Sequence, residues 1–163
     1  MKIGILSDTH DQVRRTRQAI RQFELENVDA VIHCGDLTIP DVVYACSCEE
    51  GVACHFTMGN CDLDRRELRR AIEVIGGQYW ETSGEIELLG QRIAFTHGDS
   101  PSTFRRLLAS QPDYLFYGHT HKQSDRMENG VRVINPGALH RADPYSIAIL
   151  DLPSRDLRFL NII

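Results

Sequence analysis

In the first half of the chain, short unbroken apolar runs alternate with amphipathic stretches of helical period. Residues 2–7, 30–33 and 52–57 are the runs; each is too short for a helix and ends near turn-forming residues, so each predicts a buried strand. Between the first two, Val13, Thr16, Ile20 and Phe23 recur at helical spacing and predict a helix to about residue 26, with Asp11 as its cap. Pro40 opens a second helix over 41–49, and a third over 65–75 stops at Gly76-Gly77. Strand, helix, strand, helix, strand is the pattern of a parallel sheet joined by crossover helices.

Beyond Gly77 the pattern changes. Runs at 85–88 and 92–96 flank Leu89-Gly90-Gln91, and runs at 123–127 and 131–134 flank Asn129-Gly130; both predict hairpins. A third hairpin is predicted from 146–151 and 155–161 around Pro153-Ser154. A helix over 102–110, capped by Ser102, and a strand over 114–117 lie between the first two hairpins. No repeat, low-complexity tract or linker interrupts the chain. The change at mid-chain is therefore expected to be a change of sheet within one domain spanning 1–163.

Composition agrees with that expectation and removes some functions. Of 163 residues, 42 % are hydrophobic and 25 % charged, which suits an ordinary globular domain. No stretch approaches the roughly 20 apolar residues that cross a bilayer. The apolar N-terminal run is too short for a signal peptide and is interrupted by Asp8, so a cytoplasmic location without membrane contact is expected. The net charge of −5 argues against a broad nucleic-acid surface. Basic residues are 16 Arg and 2 Lys; two runs, from Arg14 to Arg21 and from Arg65 to Arg70, fall on predicted helices and read as solvated faces. Arg65 and Arg66 are the ones placed to lean toward a bound anion. The five cysteines, Cys34, Cys46, Cys48, Cys54 and Cys61, contain no C-x-x-C pair and do not suit a zinc site; all but Cys61 read as reduced, mostly buried thiols.

The candidate chemistry lies where strands end. Asp8 and His10, Asp36, Asn60, His97, and His119 with His121 sit in five short clusters, each just beyond an apolar run. In open α/β sheets function gathers at the carboxyl ends of strands, so residues over 100 positions apart can converge. Asp8/His10 and His119/His121 are each two residues apart, and in an extended turn each pair can reach one ion. This reading assigns one divalent cation to Asp8, His10, Asp36 and His121, and a second to Asp36, Asn60, His97 and His119. Asp36 bridges the two. Mixed nitrogen and oxygen donors without thiolate suit Mn²⁺ first, with Zn²⁺ or Fe²⁺ as alternatives. His33, His55 and His140 are read as structural. Asp62 and Asp99 are read as orienters of histidine ligands.

Taken in order, these clusters resemble the signature of the calcineurin-like metallophosphoesterase superfamily. They read D-x-H at Asp8–His10, G-D at Asp36, G-N-C at Asn60–Cys61, H-G at His97 and G-H-x-H at His119–His121. The short length, the Gly59-Asn60-Cys61-Asp62 form and the Asn135-Pro136-Gly137 turn are similar to its small prokaryotic phosphodiesterase branch. The resemblance implies two facing mixed β-sheets flanked by helices, with metals at one edge of the sandwich and the ligand sets given above. It also implies that Asn60 and Cys61 meet the substrate, and that a hydroxide activated by the two metals hydrolyses a phosphate ester. Larger members carry histidine where this chain has Cys61. A thiol donates a proton poorly, which points to diesters with stable leaving groups.

A rival reading is a protein-interaction scaffold of the same fold, like the smallest retromer subunit, because fold alone does not decide function. Donor side chains at all seven positions favour the enzyme.

Overall fold

The first strand already separates two cores. The computed structural model describes residues 1–163. In β1 (Lys2–Leu6), Ile3 and Ile5 point into one apolar cluster, whereas Leu6 points into another, as the two-residue period of a strand requires. Leu6 meets the buried faces of α1 (Val13–Leu25), α2 (Pro40–Ala45) and α3 (Arg65–Val74), through Ile20, Phe23, Val42, Val43, Leu68 and Ile72. Ile3 and Ile5 meet a second sheet, through Ile93, Phe95, Phe116 and Ile134.

The first sheet adds β2 (Ala30–His33), β3 (Ala53–Thr57), β4 (Gln78–Trp80), β10 (Ser146–Asp151) and β11 (Leu157–Asn161), in the order β11-β10-β1-β2-β3-β4. β1 to β4 are parallel; β10 and β11 are antiparallel additions. The second sheet is built from β5 (Ser83–Leu88), β6 (Gln91–Thr96), β7 (Tyr114–Phe116), β8 (Gln123–Glu128) and β9 (Val131–Pro136), in the order β5-β6-β7-β9-β8. Its outer face is covered by α4 (Pro101–Ala109), with Leu107 and Leu108 packed on Ala94, Leu115 and Val133. The result is the expected pair of facing mixed sheets between helices. No helix is long and apolar enough to cross a membrane.

Departures from expectation are local. Asp11 does not cap α1: the cap position is Gln12, and the Asp11 carboxylate accepts from the Gln12 side-chain Nε2 instead. Ser100, not Ser102, caps α4, because Pro101 occupies the first helical position; the Ser100 hydroxyl accepts from the Thr103 amide at 3.3 Å. The second helix ends at Ala45 rather than 49, where the Ser47 hydroxyl donates to the Tyr44 carbonyl at 2.9 Å. β4 was not expected. It has three residues directly after Gly76-Gly77, and its pairing with β3 creates it. β11 starts at Leu157, two residues later than predicted, because residues 152–156 form the turn.

Candidate metal centre

Parallel strands run their carboxyl ends to one edge, and the loops leaving β1, β2, β3, β6 and β7 carry Asp8, Asp36, Asn60, His97 and His119 there. Backbone bonds tie these loops together. The Asp8 amide donates to the Gly35 carbonyl at 3.0 Å, the His10 amide to the Asp36 carbonyl at 2.8 Å, and the Gly118 amide to the His97 carbonyl at 2.9 Å. The His119 amide donates to Asp8 Oδ2 at 2.9 Å, joining the two sheets at the site.

The structure brings all seven predicted residues to this point. Asp8 Oδ1 lies 3.2 Å from His121 Nε2, and Asp36 Oδ2 lies 3.6 Å from His10 Nε2 and 3.4 Å from His97 Nε2. His97 Nε2 is 3.2 Å from Asn60 Oδ1, and the His97 and His119 rings stand edge to face at 5.1 Å. Asp36 is thus the group between the two halves, facing His10 on one side and His97 on the other.

These donors fit a metal by two observations. Asp8 Oδ1 and His10 Nε2 are buried without any hydrogen-bond partner, which costs free energy unless a ligand satisfies them. The 3.2 Å His121–Asp8 and 3.4 Å His97–Asp36 separations also match donors sharing one cation, since two ligands each about 2.1 Å from an ion lie roughly 3.0–3.4 Å apart; His10 and Asp36, at 3.6 Å, stand slightly wider. Two imidazoles are oriented for this. His97 Nδ1 donates to the Cys34 carbonyl at 2.8 Å and His121 Nδ1 points at the Arg141 carbonyl at 3.4 Å, so each ring turns Nε2 into the cluster, where a metal that displaces its proton would find a lone pair.

Charge and backbone geometry are both unusual here. Burial alone would raise the Asp36 carboxyl, but hydrogen bonds from His97 and the Cys61 amide, with the His97 charge, hold it well below the usual range. Burial opposes a charged His97, yet Asp36 and Asp8 outweigh it and raise the imidazole to about 9. Asp8, His10, Asp36, His119 and His121 all have positive φ, between 44° and 65°. Such conformations are uncommon outside glycine, cost on the order of 1–3 kcal/mol each and cluster at functional sites. Neighbouring bonds over-determine them. Asp62 accepts from the amides of Asp36 (2.9 Å), Gly59 (2.7 Å) and Thr38 (2.7 Å), and buried Asn135 donates to the Gly118 carbonyl (2.8 Å).

Two glycines are required by proximity rather than flexibility. A Cβ on Gly59 would strike Asp36 Oδ1, and one on Gly118 would strike Ser7 Oγ and lie 2.6 Å from Asp8 Oδ2. Gly118→Ala is expected to displace the Asp8 carboxylate, destabilise the fold by about 2 kcal/mol as an overpacked site does, and weaken metal binding. Thermal melting and metal titration check this; unchanged metal affinity would remove the claim that Asp8 is displaced.

Several expected roles change. Asp62 orients no histidine; it clamps the backbone of two ligand loops. Asp99 is exposed and makes no side-chain hydrogen bond, so it orients nothing. Arg65 donates to the Gly59 carbonyl at 3.5 Å and pairs with Glu81, while Arg66 is solvated. His33 and His55 are structural as expected: His33 Nδ1 accepts from the Gly35 amide while Nε2 donates to Thr9, and His55 accepts from Trp80. His140, read as structural, stands beside the cluster. Its ring lies 4.3 Å from His10 and 6.4 Å from His121, without a hydrogen-bond partner, on a loop tied to Asp8 by the Leu139 amide. Only the proximity of residues 136–143 to the Asn135-Pro136-Gly137 turn hinted at this. Cys61 points its sulfur into the cluster beside His10 and Asp36. Burial and the Asp36 carboxylate raise its thiol to about 11.

Known proteins share this arrangement of elements. A phosphodiesterase of Methanocaldococcus jannaschii is 34 % identical in an alignment covering 97 % of each chain. The solved structure of an archaeal phosphodiesterase superposes with a TM-score of 0.91 at 32 % identity, over 99 % of this chain and all of that one. A mutant of Vps29 from Entamoeba histolytica superposes with a TM-score of 0.67 at 16 % identity over the full length of both, a likeness of fold alone. The profile of the calcineurin-like phosphoesterase superfamily domain matches residues 1–155. With the relative that is 34 % identical over nearly its whole length, that match places the chain in the calcineurin-like phosphoesterase superfamily.

Proposed function

We propose that the chain, acting as one domain, is a metal-dependent phosphodiesterase that holds two divalent cations. One is held by Asp8, His10, Asp36 and His121, the other by Asp36, Asn60, His97 and His119. Mn²⁺ is the first candidate, with Zn²⁺ or Fe²⁺ next, because the donors are nitrogen and oxygen without thiolate. The observation that carries the reading is the pair of buried, partnerless donors, Asp8 Oδ1 and His10 Nε2, inside a ring of further donors. The diesterase relative supports the substrate class.

When bound, such cations neutralise phosphoryl oxygens and lower the pKa of water to the neutral range. The chain's own residues position the reaction. Asn60 and Cys61 border the open side of the cluster, at the tip of the loop that Asp62 clamps. The thiol of Cys61 is a weaker proton donor than the imidazolium it replaces, so departure of the alcohol receives little help. Esters with stable leaving groups, and diesters among them, are favoured.

Converting Cys61→His is expected to raise kcat on esters with poor leaving groups by about tenfold or more, the scale of general-acid assistance. A steady-state comparison across leaving groups checks it; equal slopes for both proteins would count against it. His140→Ala is expected to raise KM several-fold at unchanged metal content, because its free imidazole faces the His10 side of the site.

The scaffold reading shares the fold with Vps29. Metal analysis after Mn²⁺ addition, with a screen of chromogenic mono- and diesters, separates the two. Fewer than one ion per chain and no turnover would favour the scaffold.

A further inference from the structure

Away from the metal cluster, one pair of reactive side chains has no part in the proposed hydrolysis. Cys48, in the loop between α2 and β3, and Cys54, the second residue of β3, place their sulfurs 3.0 Å apart. That is closer than packing alone brings two sulfur atoms. The contact with Cys54 and burial push the Cys48 thiol up, and the same contact holds Cys54 down, so Cys48 attacks through its minor thiolate form, as the one sulfur of the pair that a surface cleft reaches. Cys48 is held in place by its bond to the Cys46 carbonyl at 3.4 Å. The sequence pattern concealed this pair, because five residues separate the two cysteines and only the turn at 49–52 folds them together.

Access and charge are also defined. Cys54 is buried, but Cys48 is half-buried and lines a cleft of about 180 Å³ between the end of α1 and this loop. Glu24, Asp29 and Glu49 border the same cleft, and no Lys or Arg does. The remaining cysteines are differently placed: Cys34 and Cys46 are fully buried, and Cys61 lies in the metal cluster.

We propose that Cys48 and Cys54 form an oxidisable dithiol that reduces small neutral or cationic disulfides entering by this cleft. The Cys48 thiolate attacks one sulfur of the disulfide; the S–S bond breaks, a mixed disulfide forms on Cys48 and one thiolate leaves. Cys54 then attacks the Cys48 sulfur, closing the Cys48–Cys54 bond and expelling the second thiolate. The protein loses two electrons and two protons; the small disulfide gains both and leaves as two thiols. The three carboxylates set the class of oxidant, since a charged cleft concentrates the opposite sign and repels its own.

The test exposes the full-length protein to cystamine, hydroxyethyl disulfide and glutathione disulfide at equal concentration and low ionic strength, with non-reducing mass spectrometry. The expected product has lost two hydrogen masses, with Cys48 linked to Cys54 in the peptide map. Cystamine is expected to react fastest and glutathione disulfide slowest, about tenfold or more apart, with the gap narrowing in salt. Cys54→Ser is expected to stop at the mixed disulfide on Cys48. Cys48→Ser, at a half-buried position that tolerates the change, is expected to take up no cystamine on Cys54. A wild-type protein that keeps cystamine on Cys48 without closing the ring, links Cys48 to Cys46, or stays unreacted overturns the dithiol. Equal or faster reaction with glutathione disulfide overturns the assigned class of oxidant. None of these readouts depends on ester hydrolysis.

Discussion

Asp36→Asn is expected to lower kcat/KM on a phosphodiester by about 10³-fold or more and to reduce bound metal from two ions to at most one. The two oxygens of Asp36 have different tasks. Oδ1 accepts from the Cys61 amide at 2.8 Å, and Oδ2 faces His10 Nε2 and His97 Nε2 at 3.6 and 3.4 Å. Asparagine keeps the size and one acceptor, so the loop and the fold persist. It loses the charge, and one of its two positions becomes a donor that opposes either the amide or the imidazoles. Without the charge that would hold both cations, a loss of about 4 kcal/mol of transition-state stabilisation is about 10³ in rate. Metal content by mass spectrometry, turnover, and circular dichroism as a control for folding check it. A folded variant with two ions, or with more than a tenth of the activity, would falsify the bridging role.

The metal-free protein is expected to be most stable near pH 6.5 and to lose stability on both sides. Two histidines set the limits with opposite sign. Burial depresses His33 to about 3, so below its ordinary value near 6.5 the unfolded chain binds a proton that the native state refuses. Stability from His33 is therefore lost as pH falls from about 6.5 toward 3. His97 is raised to about 9 by Asp36 and Asp8 despite its burial. Its contribution is fully present below about 6.5 and disappears as pH rises to 9, because there the native state must keep a proton that the unfolded chain has released. Each limb has a slope of about 1.4 kcal/mol per pH unit. The depressed Asp36 adds a loss only at lower pH, below the ordinary carboxylate value. Metal binding should abolish the alkaline limb, since a ligating His97 is already deprotonated, and should release protons at neutral pH. Denaturant unfolding from pH 4 to 9, with and without Mn²⁺, measures both limbs. An alkaline limb unaffected by metal would show that His97 is not a ligand.

The legible part of the site and the hidden part differ in physical kind. Asp8, Asp36, Asn60, His97 and His119 were legible because turn residues after an apolar run mark a strand end, and strand ends of parallel sheets meet. His140 was not, because the loop that carries it folds back onto His10 through the Leu139–Asp8 bond. The role of Asp62 was misread for a similar reason. Its nearness to Asn60 in sequence suggested a partner for histidine, whereas its two oxygens are used up by three amides.

The sequence by itself determined every strand except β4, the helices α1 and α3, the donor types and the order in which they leave their strands. These follow from hydrophobic period and turn chemistry, which are local in the chain. Only the tertiary structure decided that Asp36 stands between His10 and His97, that five donors adopt positive φ, that Ser100 rather than Ser102 caps α4, and that Cys48 meets Cys54. Each of these depends on which loops the two facing sheets press together, and no short window of residues contains that information.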